Sequence, residues 1–251
     1  MKYMKHSNLF QSTFYTLGLL ILFIAGGLFF DSSYFIEQDS NGQHYANAAM
    51  LLVFFGLFYR ATKRSKELML YAVAIGIGGE CLFSLGFDMY EYRLKNVPVY
   101  VPPGHAIIYI VTVYFCREKF VKKYKSKIER YFGVFIFFYS LCFLIFRSDV
   151  FGFGLTLLIF WFLRNKPRER LFYFSMYLVV VFLEINGTTY ECWVWPNTAF
   201  GVFDFIKSAN PPSGVSFFYF GLDLGSLWLY KKRHTIAWSR MKNIRHYQTL
   251  N

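Results

Sequence analysis

Charge is scarce in this chain, and acid is scarcer than base. Only 17% of its 251 residues are charged, with 15 acids against 27 bases. A soluble domain carries about 25% charge and about 45–50% apolar residues. Here 55% are hydrophobic and 23% aromatic, so a water-exposed globule is not the expected state. Cysteine is scarce as well. Cys81, Cys116, Cys142 and Cys192 form no C-x-x-C pair, which removes zinc knuckles and dithiol redox motifs. No P-loop, dinucleotide-binding glycine fingerprint, G-x-S-x-G elbow or haem-attachment C-x-x-C-H occurs. No polar stretch is long enough for a soluble cofactor domain, and no cofactor is expected.

What the sequence does have is apolar residues in blocks. A helix crossing a bilayer needs roughly 20 of them. Blocks at about 12–30, 45–60, 68–87, 105–120, 131–147, 150–164, 171–189 and 215–231 predict an all-α, polytopic bundle of about eight spans, one membrane domain over 1–251. With eight spans the bases sort by side. One set of loops and ends holds 23 of them, in clusters such as Lys63–Lys66, Arg117–Arg130, Arg164–Arg170 and Lys231–Arg245. The other set holds only Arg93, Lys95, Arg147 and Lys207. Positive loops face the cytoplasm. Both termini are therefore expected there, with a bacterial inner membrane as the location. The first block follows Lys2 and Lys5 but has no small-x-small cleavage pattern after Phe30, so it is expected to stay as a helix. The net charge of +12 then serves topology and anionic headgroups. Membrane lipids are the expected partners, and nucleic acid is not.

A pattern recurs between the halves 1–126 and 127–251. Glu80 is followed by Tyr90-x-Tyr92, then Pro102-Pro103-Gly104, then Tyr109. Glu184 is followed by Trp193-x-Trp195, then Pro211-Pro212-Ser213-Gly214, then Tyr219. Each tyrosine stands five residues after its glycine. Four spans per half would give both halves the same orientation, as in parallel transporter repeats.

Glu80, Glu184 and Asp223 fall inside predicted spans, where an ionisable side chain is a functional candidate by default. A rise of 1.5 Å per residue puts all three at similar depth in the outer half. His105, Asn186 and Asn210 stand near them in sequence, and Tyr90, Tyr92, Tyr109, Trp193, Trp195 and Tyr219 supply rings with polar tips. Each has a plainer role: aromatic belt, helix start, or helix-to-helix hydrogen bond. A carboxylic acid in apolar surroundings holds its proton and can act as a general acid, and aromatic faces stabilise cations. Together they suit protonation of a carbon–carbon double bond. Glu80 and Glu184 are then the acid/base pair, His105 and Asp223 orient them, and an apolar small molecule or lipid is the substrate.

The stretch from Gly79 to Tyr109, with its Glu, Gly86, Tyr90-x-Tyr92 and Val-Pro run, resembles the repeat unit of polytopic carotenoid-modifying enzymes, the carotenoid hydratase and small lycopene cyclase group. Glu184 to Asp223, with Gly187, Trp193-x-Trp195 and Asn210-Pro-Pro-Ser-Gly, resembles a pattern in uncharacterised bacterial membrane proteins. The first resemblance implies hydratase, lyase or isomerase chemistry on an isoprenoid. Where the second half has Asp223, the first has Val113, so the two are not equivalent throughout. Two alternatives stand beside this one. A parallel repeat with buried acids also suits a proton-coupled transporter or lipid-binding protein. Glu80, His105, Glu184 and Asp223 together could hold a metal for hydrolysis, although zinc prefers more histidine or cysteine.

Overall fold

The computed structural model describes residues 18–35, 41–236 and 238–240. The chain is mostly helical. In order come α1 (Gly18–Phe30), α2 (Asn41–Arg60), α3 (Lys63–Glu80), α4 (Val101–Arg117), the short α5 (Lys119–Lys123), α6 (Lys125–Arg147), α7 (Val150–Leu163), α8 (Arg170–Thr189) and α9 (Ser216–Arg233). Residues 12–17 of the first predicted block lie outside the described residues. α3 runs on without a break as a wider π-helical turn, Cys81–Gly86, directly after Glu80.

Among the described residues, three helices are long and apolar enough to cross a membrane: Lys63–Gly86, Lys125–Arg147 and Arg170–Thr189. Gly18–Phe30 and Val150–Leu163 are apolar but shorter. α6 shows why water is a poor surround. Only 11% of its most apolar 18-residue window is buried, and Phe135, Phe138, Ile145 and Phe146 stand on the outside. A helix apolar all round requires an apolar environment.

α3, α4, α8 and α9 form the centre, with α3 against α4 and α9, and α8 against α4 and α9. α1 and α2 add their buried faces to this core, while α6 and α7 pack a second core against α8 and α9. Polar contacts collect at two ends. At one, Arg93 binds Asp31 at 2.8 Å, the Tyr100 hydroxyl donates to the same carboxylate, and Ser33 bonds to Tyr190 and Glu191. At the other, His234 pairs with Glu67, Arg64 covers Tyr230, and Lys125 donates to the Pro167 carbonyl. The described residues of the basic clusters, at the start of α3, α6 and α8 and the end of α4 and α9, belong to this second end.

An all-helical expectation misses two small antiparallel ladders. β1 (Glu91–Tyr92) pairs with β2 (Trp193–Val194), and β3 (Thr198–Ala199) pairs with β4 (Phe203–Lys207). In a strand, successive side chains point to opposite faces. Aromatic-x-aromatic is a strand pattern: both rings of each pair turn inward, while Glu91 and Val194 between them are exposed.

Candidate functional site

The two aromatic-x-aromatic segments pair with each other. Glu91 stands opposite Val194, and Tyr92 opposite Trp193. Tyr90 then meets Trp195, with ring centroids 4.6 Å apart. Each segment is entered through a left-handed residue two places before its first ring, Asp88 at φ 47° and Glu191 at φ 57°. The residue between, Met89 or Cys192, is buried.

Each pair of rings holds one glutamate. The Tyr90 and Tyr92 hydroxyls both donate to Glu80 Oε2, each at 2.8 Å. The Trp193 and Trp195 indoles both donate to Glu184 Oε2, at 2.9 and 3.0 Å. Both glutamates are 5% exposed, so these bonds replace the water they have lost. Burial, and then the Glu80 charge, push the Tyr90 and Tyr92 hydroxyls well above the usual tyrosine range, which keeps them as donors. An indole N–H can only donate. Glu184 Oε2 is therefore an acceptor whatever the state of the acid, and any proton on Glu184 sits on Oε1.

The remaining partners differ. Glu80 Oε1 faces His105 Nε2 at 3.1 Å, within hydrogen-bond reach, with donor and acceptor set by the His105 tautomer. His105 Nδ1 is buried without a partner. Beside Glu184 comes the Tyr219 hydroxyl, and the Tyr219 ring stands edge-on to His105 at 5.0 Å. His105 and Tyr219 thus link the two carboxylates.

Two glycines set this geometry. A methyl group at Gly187 would overlap the Trp193 ring. At Gly76 it would lie 3.1 Å from the His105 ring. Asn210 is a brace rather than a ligand: its Oδ1 accepts from the Trp195 backbone N–H at 3.0 Å. Asp149, the residue before α7, caps that helix at the Gly152 N–H and holds the same loop by accepting the backbone N–H groups of Ala209 and Ser213.

Glu80, Tyr90, Tyr92, His105, Glu184, Trp193, Trp195 and Tyr219 all line one cavity of about 500 Å³. The rest of its wall is almost wholly apolar, from α1, α2, α3, α4 and α9. Four sequence candidates lie elsewhere. Asp223 is buried at 2% exposure with neither oxygen hydrogen-bonded, on the side of α9 near Tyr109 and Tyr173. Tyr109 packs edge-on to Phe172. Asn186 donates to the Phe182 carbonyl of its own helix, and Asn210 braces the loop. His105 stands in the second turn of α4 rather than at its start, because the helix already begins at Val101 with the two prolines in its first turn.

Asp31, Arg93, Tyr100 and Asp149 were not among the sequence candidates. Asp149 carried a signal, an acidic residue just before an apolar helix. The Asp31–Arg93 pair spans 62 residues of sequence and left no local mark. Among the described residues, no three His, Cys, Asp or Glu side chains are placed to hold one metal ion. No protein family, curated protein or solved structure matches the chain.

Proposed function

We propose that this is a polytopic membrane enzyme acting by acid–base catalysis on a lipid, with an isoprenoid as the favoured class. The observation that carries it is two buried glutamates, each fixed by two aromatic donors, in one apolar cavity. Glu184 delivers a proton from Oε1 to one carbon of a double bond, and the surrounding ring faces stabilise the cation formed. The Glu80–His105 pair then takes up a proton. If the proton comes from a neighbouring carbon, the double bond moves. If it comes from water attacking the cation, the net change is hydration. The resemblance to carotenoid-modifying enzymes fits either outcome.

Eight spans, with the basic end in the cytoplasm of a bacterial inner membrane, are the matching topology, and the separation of polar contacts into two ends supports it. An internal duplication is supported by four correspondences: two left-handed entries, two ring pairs, two held glutamates and the reciprocal packing of α3, α4, α8 and α9. Hydrolysis through a metal held by all four candidates loses its support, since Asp223 lies away from the cavity.

Lipid extracts of membranes carrying the wild type or Glu184→Gln test this proposal. The wild type is expected to yield a lipid differing from its precursor by one water or by double-bond position, absent from the variant. Identical extracts would overturn it. Proton-coupled transport is the second possibility, favoured by one observation: Asp223 is a buried acid without a partner, able to carry a proton. Acid-driven uptake by proteoliposomes, lost in Asp223→Asn, would decide for it.

A further inference from the structure

α3 and α9 run antiparallel, and three contacts fix their register. Glu67 meets His234 at 2.6 Å near the basic end. Further along, Gly225 lies so close to Ile75 that a methyl group there would stand 2.9 Å from it. Near the cavity roof, the Phe83 and Phe218 rings meet at 5.5 Å. Between the last two contacts, this register brings Gly78 and Gly79 level with Gly221.

These three glycines do not serve close packing as Gly225 does. A methyl group at Gly78 or Gly221 would meet nothing within 4 Å, and at Gly79 only Phe83 of the same helix. All three line the cavity, and Gly78 and Gly221 are exposed as well. Exposed cavity-lining residues side by side on two neighbouring helices point to the opening of the cavity. The surface around it is apolar, with Ile77, Leu82, Leu85 and Leu224 all exposed. Inside, the cavity presents two carboxylates, and no Lys or Arg is among the described residues lining it. An anionic headgroup brought in there would be buried with no Lys or Arg to pair with it.

We propose that the cavity is reached sideways, through the gap between α3 and α9 edged by Gly78, Gly79 and Gly221, by a lipid whose reactive end is uncharged or cationic. The hydrocarbon chain stays in the bilayer while that end reaches Glu80 and Glu184. This deepens the acid–base proposal and rests on it for what happens inside, but access is measurable without turnover.

A protein carrying Trp161→Phe, Trp228→Phe and Trp238→Phe retains Trp193 and Trp195 at the cavity as its only indoles. Reconstituted in nanodiscs of unbrominated lipid, it is titrated with a long-chain alcohol brominated on carbons close to the hydroxyl, or with the alkyl phosphate brominated at the same carbons. Half-quenching is expected at about tenfold lower alcohol than phosphate, a difference of about 1.4 kcal/mol. Gly78→Phe or Gly221→Phe is expected to remove most of the quenching by the alcohol. Equal quenching by both probes, none by either, or quenching indifferent to both plugs overturns the proposal. The alcohol-against-phosphate comparison needs no plug, so it stands even if a plugged variant fails to fold. Quenching as expected in a protein without turnover would overturn the acid–base proposal and leave the side opening intact.

Discussion

The two glutamates have the same kind of seat, built differently. Glu80 sits between two tyrosines and a histidine, and Glu184 between two tryptophans and a tyrosine. A histidine can give or receive a proton, whereas an indole only gives a hydrogen bond. The Glu80 side can therefore relay a proton, while the Glu184 side fixes one oxygen and leaves the other for chemistry. The braces differ too. Arg93 and Tyr100 tie the Glu80 side to the buried Asp31, just after α1, by an ion pair and a hydrogen bond. Asp149, before α7, ties the Glu184 side through backbone N–H groups. One arrangement of acid and rings is thus compatible with two chemistries and two anchors.

The largest expected effect separates the carboxylates from their seats. Glu184→Gln can still accept both indole bonds, so the fold should persist while turnover falls by about 10²–10⁴, the usual contribution of a positioned acid. Normal helical circular dichroism with unchanged product formation would remove Glu184 from the chemistry. Next come the braces. Asp31→Ala removes the carboxylate that accepts from the half-buried Arg93 and from the Tyr100 hydroxyl, and should destabilise by about 1.5–3 kcal/mol for each bond lost. Asp149→Ala strands three buried N–H groups at about 1–3 kcal/mol each. Thermal unfolding measures both. In Asp149→Ala the Trp195 emission should change most, and in Asp31→Ala least; equal changes would mean that the two seats are not separately anchored.

Smaller effects are expected at the donors. Trp195→Phe and Tyr92→Phe each remove one hydrogen bond to a carboxylate, about 1.5–3 kcal/mol. Tyr92→Phe should also shift the pH profile of turnover, because it alters the acid paired with His105; an unshifted profile would deny the relay. The smallest effect is in alkali. Tyr90 and Tyr92 keep their protons above the ordinary tyrosine value of 10.0, where an unfolded tyrosine releases them. The unfolded state then binds fewer protons, so stability falls as pH rises past about 10 and is unaffected below. Tyr90→Phe with Tyr92→Phe should flatten that fall, as read from unfolding temperature against pH.

The mostly helical fold was legible in the sequence from its apolar runs, although only three of the described helices reach bilayer length. The two glutamates and their ring pairs were legible because they recur at matching intervals. Asp223 was misplaced because rise per residue gives depth along a helix but not direction around it. The direction of α9 is set by its packing on α3 and α8, which turns Tyr219 and Leu222 to the cavity and Asp223 away. Tyr109 fails in the same way on α4, where His105 and Ile108 face the cavity. The ladder between β1 and β2 joins segments about a hundred residues apart, which no local pattern could announce. The open glycines of α3 were visible as letters, but only the position of α9 shows that nothing fills the space beside them.

On the proposed chemistry, both carboxylates move protons to and from carbon in a bilayer lipid. Membranes holding the protein can be incubated in heavy water and their lipids extracted and analysed by mass. Deuterium bound to carbon in one lipid species is expected with the wild type and not with Glu80→Gln or Glu184→Gln. The same deuterium pattern in the wild type and both variants would contradict it.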